Sequence, residues 1–166
     1  PYQVLRIFAE ETLKEYQDNF RIARSLFDDE KFEEALEKFT QMRRDAERLL
    51  AQSGEDISAT HDTNNADDLN RLKIRCAIGT AQCLISLHRI EEAGLTYREL
   101  HRLLLLSPDV FSTSARAALA EGLAAIGDLN AAAEVCPRPE DGETIEQQIN
   151  YRRLSLQIQI LSGTAT

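Results

Sequence analysis

Three stretches of this chain place a small residue between two larger ones at helical spacing. The clearest is KFEEALEKF at 31–39, where Phe32, Ala35 and Phe39 fall three and four residues apart with Glu and Lys in most gaps. That spacing puts them on one stripe of an α-helix. The phrase returns as RIEEAGLTY at 89–97 and more faintly as DLNAAAEVC at 128–136, giving the trios Ile90/Ala93/Tyr97 and Leu129/Ala132/Cys136. Twelve positions before each central Ala lies another, at Ala23, Ala81 and Ala120, and three beyond that a Leu, at Leu26, Leu84 and Leu123. Small residues facing each other let two helix backbones approach closely, and the large ones fill the grooves alongside.

Punctuation along the chain agrees with an all-α reading. Proline is absent from 2 to 107, glycine in that span occurs only at Gly54, Gly79 and Gly94, and no Asn-Gly or Asp-Gly turn links two alternating runs. The periodicity predicts about seven helices: 2–27, 31–50, 68–87, 90–106, 112–126, 129–136 and 144–161. Asp29 suits a cap for the second helix, Asp67 or Asp68 one for the third, and Gly127 a C-terminal stop for the fifth. The last segment is mixed. LSLQIQIL alternates apolar and polar residues like a strand, while Glu146, Gln147, Gln148 and Arg152–Arg153 favour helix.

Paired helices with a recurring phrase define a repeat array. The chain resembles the tetratricopeptide repeat family, in which antiparallel hairpins carry these small and large residues and stack into a right-handed superhelix. The resemblance covers about residues 14–136, with repeats at about 14–50, 68–106 and 112–136, in one domain spanning 1–166. Phe32 to Ile90 is 58 residues and Ile90 to Leu129 is 39, so the array departs from the family's period. The first excess is assigned to a longer helix and to an acidic loop at 51–67, expected to be mobile. The third repeat is rich in Ala nearly all round its helices, which predicts cover on several sides; the helix at 144–161 is the expected cap, with a partner protein as the alternative.

The resemblance implies a concave face built from the first helix of each repeat. Its lining would be Phe20, Arg24 and Phe27, then Arg75, Ile78, Gln82 and Ile85, then Ser114, Ala117, Glu121 and Ala124. Apolar contact beside Arg24 and Arg75 suits a segment bearing an acidic side chain or a carboxylate. Core packing of Phe20 and Phe27, and pairing of the arginines with neighbouring acids, are the structural alternatives. The positions that family members use to clamp chaperone C-terminal tails hold Phe20, Arg24, Gly79, Ser114 and Ala118 here, which disfavours that ligand.

Composition narrows the rest. Of a net charge of −9, five negative charges sit at Glu55, Asp56, Asp62, Asp67 and Asp68, in a stretch with no Lys or Arg. The sign argues against nucleic acid as the main partner, and no apolar run reaches membrane-spanning length. Cys76, Cys83 and Cys136 make no disulfide framework; Cys76 and Cys83 on one helix would stand about 10.5 Å apart along its axis. A reducing compartment, cytoplasmic or nuclear, is expected. His88 and the cysteines lack zinc-ligand spacing, and His101 has no triad-like neighbours. Glu33–Glu34 and Glu91–Glu92 stand in first turns, where carboxylates suit the helix dipole better than acid–base work. No phosphate-binding glycine loop occurs. The expectation is a protein-interaction scaffold without catalytic residues, metal or cofactor, and the alternative is an architectural subunit docking through its convex side and Ala-rich end. Pro1 reads as a cut end, which predicts a fragment of a longer chain.

Overall fold

In the computed structural model, which describes the backbone of residues 2–55 and 63–164 and the side chains of 13–51 and 66–164, the chain is helical with no strand among the described residues. The seven helices are α1 (Tyr2–Asp28), α2 (Phe32–Glu55), α3 (Thr63–Ser86), α4 (Ile90–Leu106), α5 (Thr113–Ala125), α6 (Leu129–Val135) and α7 (Ile145–Ser162), with 3-10 turns at Pro108–Val110 and Pro139–Asp141. Residues 56–62 of the expected acidic loop lie outside the described residues, but its ends are helix: α2 runs on to Glu55 and α3 starts at Thr63. Once a helix is nucleated, each further residue adds a hydrogen bond, so polar Ala- and Glu-containing flanks extend it. The chain forms two compact units, Pro1–His88 and Arg89–Thr166. The division falls inside the stretch 68–106 that the sequence pattern treats as one repeat.

Three helix ends pass through a left-handed residue. Glu30 and His88 take φ of 60° and 59°, and Gly127 takes 85°. Each stands seven positions after one of the register alanines Ala23, Ala81 and Ala120, and two before the next helix starts. At the first, Glu30 N–H donates to Phe27 O (3.0 Å) and Lys31 N–H to Leu26 O (2.9 Å). At the third, Gly127 N–H donates to Ala124 O (3.0 Å) and Asp128 N–H to Leu123 O (2.9 Å). This is the paired C-terminal closure of a Schellman motif, which satisfies carbonyls a helix end otherwise leaves bare. Asp29 lies within that turn, and α2 starts at Phe32 with Ala35 N–H donating to Lys31 O, so the expected Asp29 cap is replaced by the backbone closure.

In the first unit α2 lies against both α1 and α3. Ala23, Ala35 and Ala81 are fully buried, and Phe39, Met42, Leu72, Cys76 and Cys83 complete the core. Gly79 accepts the Phe39 ring: a Cβ there would stand 2.7 Å from the ring's Cζ. In the second unit α5 is flanked by α4, α6 and α7. Ala93, Ala120 and Ala132 are fully buried around Tyr97, Leu119 and Leu123, and the Tyr97 ring covers Gly122 so closely that a Cβ would overlap it. The pattern of bulk and smallness thus resolves into rings seated on bare backbone of a neighbouring helix.

Three helices of the second unit, α5, α6 and α7, start at side-chain caps. Ser112 Oγ accepts from Ala115 N–H (3.1 Å) and Asp128 Oδ1 from Ala131 N–H (3.3 Å). At α7, Thr144 Oγ1 accepts from Gln147 N–H (3.2 Å) while Gln147 Oε1 accepts from Thr144 N–H (3.3 Å), a reciprocal capping box. That box starts a helix where LSLQIQIL alternates like a strand. α7 packs on α5, α6 and the second 3-10 turn, burying Tyr151 and Ile158.

Candidate partner-binding surfaces

The first unit gathers most of the residues expected on its concave side. Phe20 and Phe27 of α1 are half-buried, each edge-on to a ring of α2: Phe20 to Phe39 at 5.6 Å and Phe27 to Phe32 at 5.3 Å between centroids. The Arg75 guanidinium of α3 lies over the Phe20 ring, 4.1 Å from its centroid, and that of Arg24 is 4.8 Å from the Phe27 centroid. Arg24 Nη1 also donates to Gln82 Oε1 across the two helices (2.9 Å), and its Nε stands 3.6 Å from Asp28 Oδ1. Ile78 is buried and Ile85 half-buried, so Ile78 adds nothing to an open face.

The two arginines therefore differ. Arg24 is tied down by an amide and a carboxylate, as ordinary surface pairing would have it. Arg75 is exposed and stacked on an aromatic face, with no ion pair or hydrogen bond among the described residues. A guanidinium held over a ring by its quadrupole still carries N–H donors that can pair with a carboxylate. Nearby cations behave otherwise: Arg43 and Lys73 both reach Glu47, at 3.2 and 3.6 Å.

In the second unit Ser114, Ala117, Ala118 and Glu121 of α5 face Asn150, Arg153, Leu154 and Gln157 of α7 across a cleft of about 330 Å³. Ser114 and Glu121 are exposed. The expected third-repeat lining is thus flanked by the chain's own last helix. A separate hollow of about 570 Å³ lies among Arg116, Glu134, Cys136, Arg138, Asp141 and Ser155. There Arg116 Nε is buried with no hydrogen-bond partner, while Glu134 Oε2 meets His101 Nε2 at 3.2 Å.

The sequence reading missed the outward side of α7. Ile145, Ile149, Leu156 and Ile160 are 50–76% exposed there. Its signal was the alternation itself: on a helix, residues two apart lie about 200° apart, so a period-two run builds two opposed apolar stripes. Ile158 goes inward and Leu156 and Ile160 go outward.

The thiols are guarded rather than primed. Burial pushes Cys76 up to about 12 and Cys83 up to about 11, against smaller opposing pulls led by Arg75 and by Arg24 respectively. Burial also raises Cys136, with Arg116 opposing. A reactive thiol needs its pKa lowered, so these environments suit structural cysteines. Among the described residues no group of three His, Cys, Asp or Glu side chains is arranged to hold a metal ion, and no helix is long and apolar enough to cross a membrane. Comparison with family models, curated proteins and solved structures returns no match.

Proposed function

We propose that this chain is a non-enzymatic protein-interaction scaffold, a tetratricopeptide-like array of helical hairpins that holds an extended partner segment on the α1/α3 face. The observation that carries this reading is Arg75, exposed and held over the Phe20 ring with no ion pair or hydrogen bond among the described residues. A segment with an acidic side chain or a terminal carboxylate would pair with that guanidinium while an apolar neighbour rests on Phe20 and Phe27. The repeated turn at Glu30, His88 and Gly127, in step with six fully buried alanines, supports the hairpin-array part of the reading. The test is selection of a random linear-peptide display library on the chain. Enriched peptides should carry Asp, Glu or a free C-terminus, and both Phe20→Ala and Arg75→Glu should weaken them with helicity unchanged. Enriched peptides indifferent to both substitutions would sink the assignment of the face.

A second reading is architectural: the chain docks on neighbours through its outer surfaces and its inner face is self-filled. The position of α7 beside Ser114, Ala118 and Glu121 favours it for the second unit. Removing 144–166 separates the two readings. A filled face predicts that α5 then unfolds or aggregates, whereas an open one predicts new peptide binding at Ser114 and Glu121.

A further inference from the structure

We propose that the outward side of α7 is a docking seam for an acidic amphipathic helix of another protein. The proposal does not depend on the α1/α3 face, which lies in the other unit. At 100° per residue, Ile145, Ile149, Leu156 and Ile160 fall within an arc of about 60°, diametrically opposite the buried Tyr151 and Ile158. So narrow a row, stepping by four, three, four and four residues through 145, 149, 152, 156 and 160, is a helix-pairing seam rather than the broad face of a core helix. A shallow trough of about 590 Å³ follows it.

The charges identify the occupant. Arg152 stands in the row itself, between Ile149 and Leu156, and Arg153 borders it on the other side. Neither has an ion pair or hydrogen bond among the described residues, and no carboxylate lines the trough. Any helix lying on Ile149 and Leu156 must cover Arg152, and a covered cation without a partner is costly. The occupant therefore brings Asp or Glu opposite Arg152 and Arg153, with aliphatic residues opposite the row.

A second copy of this chain fits poorly. The midpoint of the row lies between 152 and 153, so an isologous pair of α7 helices would set these arginines against their own counterparts. A lipid surface fits poorly as well: the row has no aromatic residue, only two cations border it, and a net charge of −9 opposes approach to anionic headgroups.

A display library of helices with a fixed aliphatic seam and randomised flanks, selected on the chain, tests this. Enriched helices should carry Asp or Glu opposite the arginines. By fluorescence anisotropy, the double variant Arg152→Glu/Arg153→Glu should bind a selected peptide about tenfold or more weakly, and a peptide with Lys in place of its acids should recover that loss. Leu156→Ser should also weaken binding, and Phe20→Ala should leave it unchanged. All four positions are exposed or half-buried, so circular dichroism should report the same helix content. Lack of enrichment, enrichment without acidic residues, or equal loss on Phe20→Ala would each overturn the proposal. So would self-association in sedimentation that Leu156→Ser abolishes, or binding to phosphatidylcholine–phosphatidylserine vesicles by the unmodified chain.

Discussion

Phe39 and Tyr97 occupy the same place in the recurring trio, and each seats its ring on a glycine of another helix in its own unit, yet the glycines are out of step. Gly79 lies two residues before the register alanine Ala81, whereas Gly122 lies two residues after Ala120. The difference is four residues, one helical turn or about 6 Å. The trio therefore specifies a large ring and a close approach, but not where along the neighbour the ring lands. Helices that share a phrase can seat their rings a turn apart, and the trios themselves are unevenly spaced, at 58 and 39 residues.

The strongest way to break the comparison is to empty the seats. Tyr97→Ala and Phe39→Ala should each cost about 3–5 kcal/mol in chemical denaturation, the usual range for a buried aromatic cut to Ala. Hydrogen exchange should quicken first in 89–164 for Tyr97→Ala and in 13–88 for Phe39→Ala. Equal quickening in both would mean that the units unfold as one.

Filling the glycines sharpens it. Ala is favoured over Gly in a helix by about 1 kcal/mol, but overpacking costs about 1–3 kcal/mol. Gly122→Ala should be net destabilising by about 2 kcal/mol, because the ring lies across the site. Gly79→Ala should cost less, since only the far edge of Phe39 intrudes. In the double variant Tyr97→Phe/Gly122→Ala the loss should persist, because ring atoms as well as the hydroxyl overlap the added Cβ.

Thiol chemistry separates the units next. Cys76 and Cys83 are fully buried and raised above their ordinary value of 9.0, to about 12 and about 11. The unfolded chain releases these protons first, so stability present below pH 9 is lost as pH climbs through 11 and 12. Denaturation midpoints should fall over that window, and Cys76→Ala/Cys83→Ala should flatten the fall. At pH 8 iodoacetamide should label Cys136, which is half-exposed, well before either of them. The smallest effect belongs to Arg75→Glu, which should cost under about 1 kcal/mol of stability, the scale of an exposed cation–aromatic contact.

Helix positions were largely legible because Pro108, Pro137, Gly127 and the alanine register mark them directly. The turns at Glu30 and His88 were legible as gaps between predicted helices, but their left-handed backbone was not, because neither residue is a glycine. The roles of Gly79 and Gly122 were not legible, since a glycine shows no partner until the ring above it is placed. Among the candidate site residues, Phe20, Arg24, Phe27, Arg75 and Gln82 come together on one face. Ile78 does not join them, because a β-branched residue on a helix with wide apolar cover gives no sequence cue to which side is open. The stacking of Arg75 on Phe20 also lay out of reach, as charge patterns along a chain suggest acid partners and not ring faces.

The corner after α1, α3 and α5 passes through a left-handed residue whether Glu, His or Gly occupies it. Its shape is then dictated by helix ends reaching for their own last carbonyls, and the residue at the bend merely tolerates it. Glycine at 30 or 88 would therefore ease the backbone at that bend without redirecting the chain.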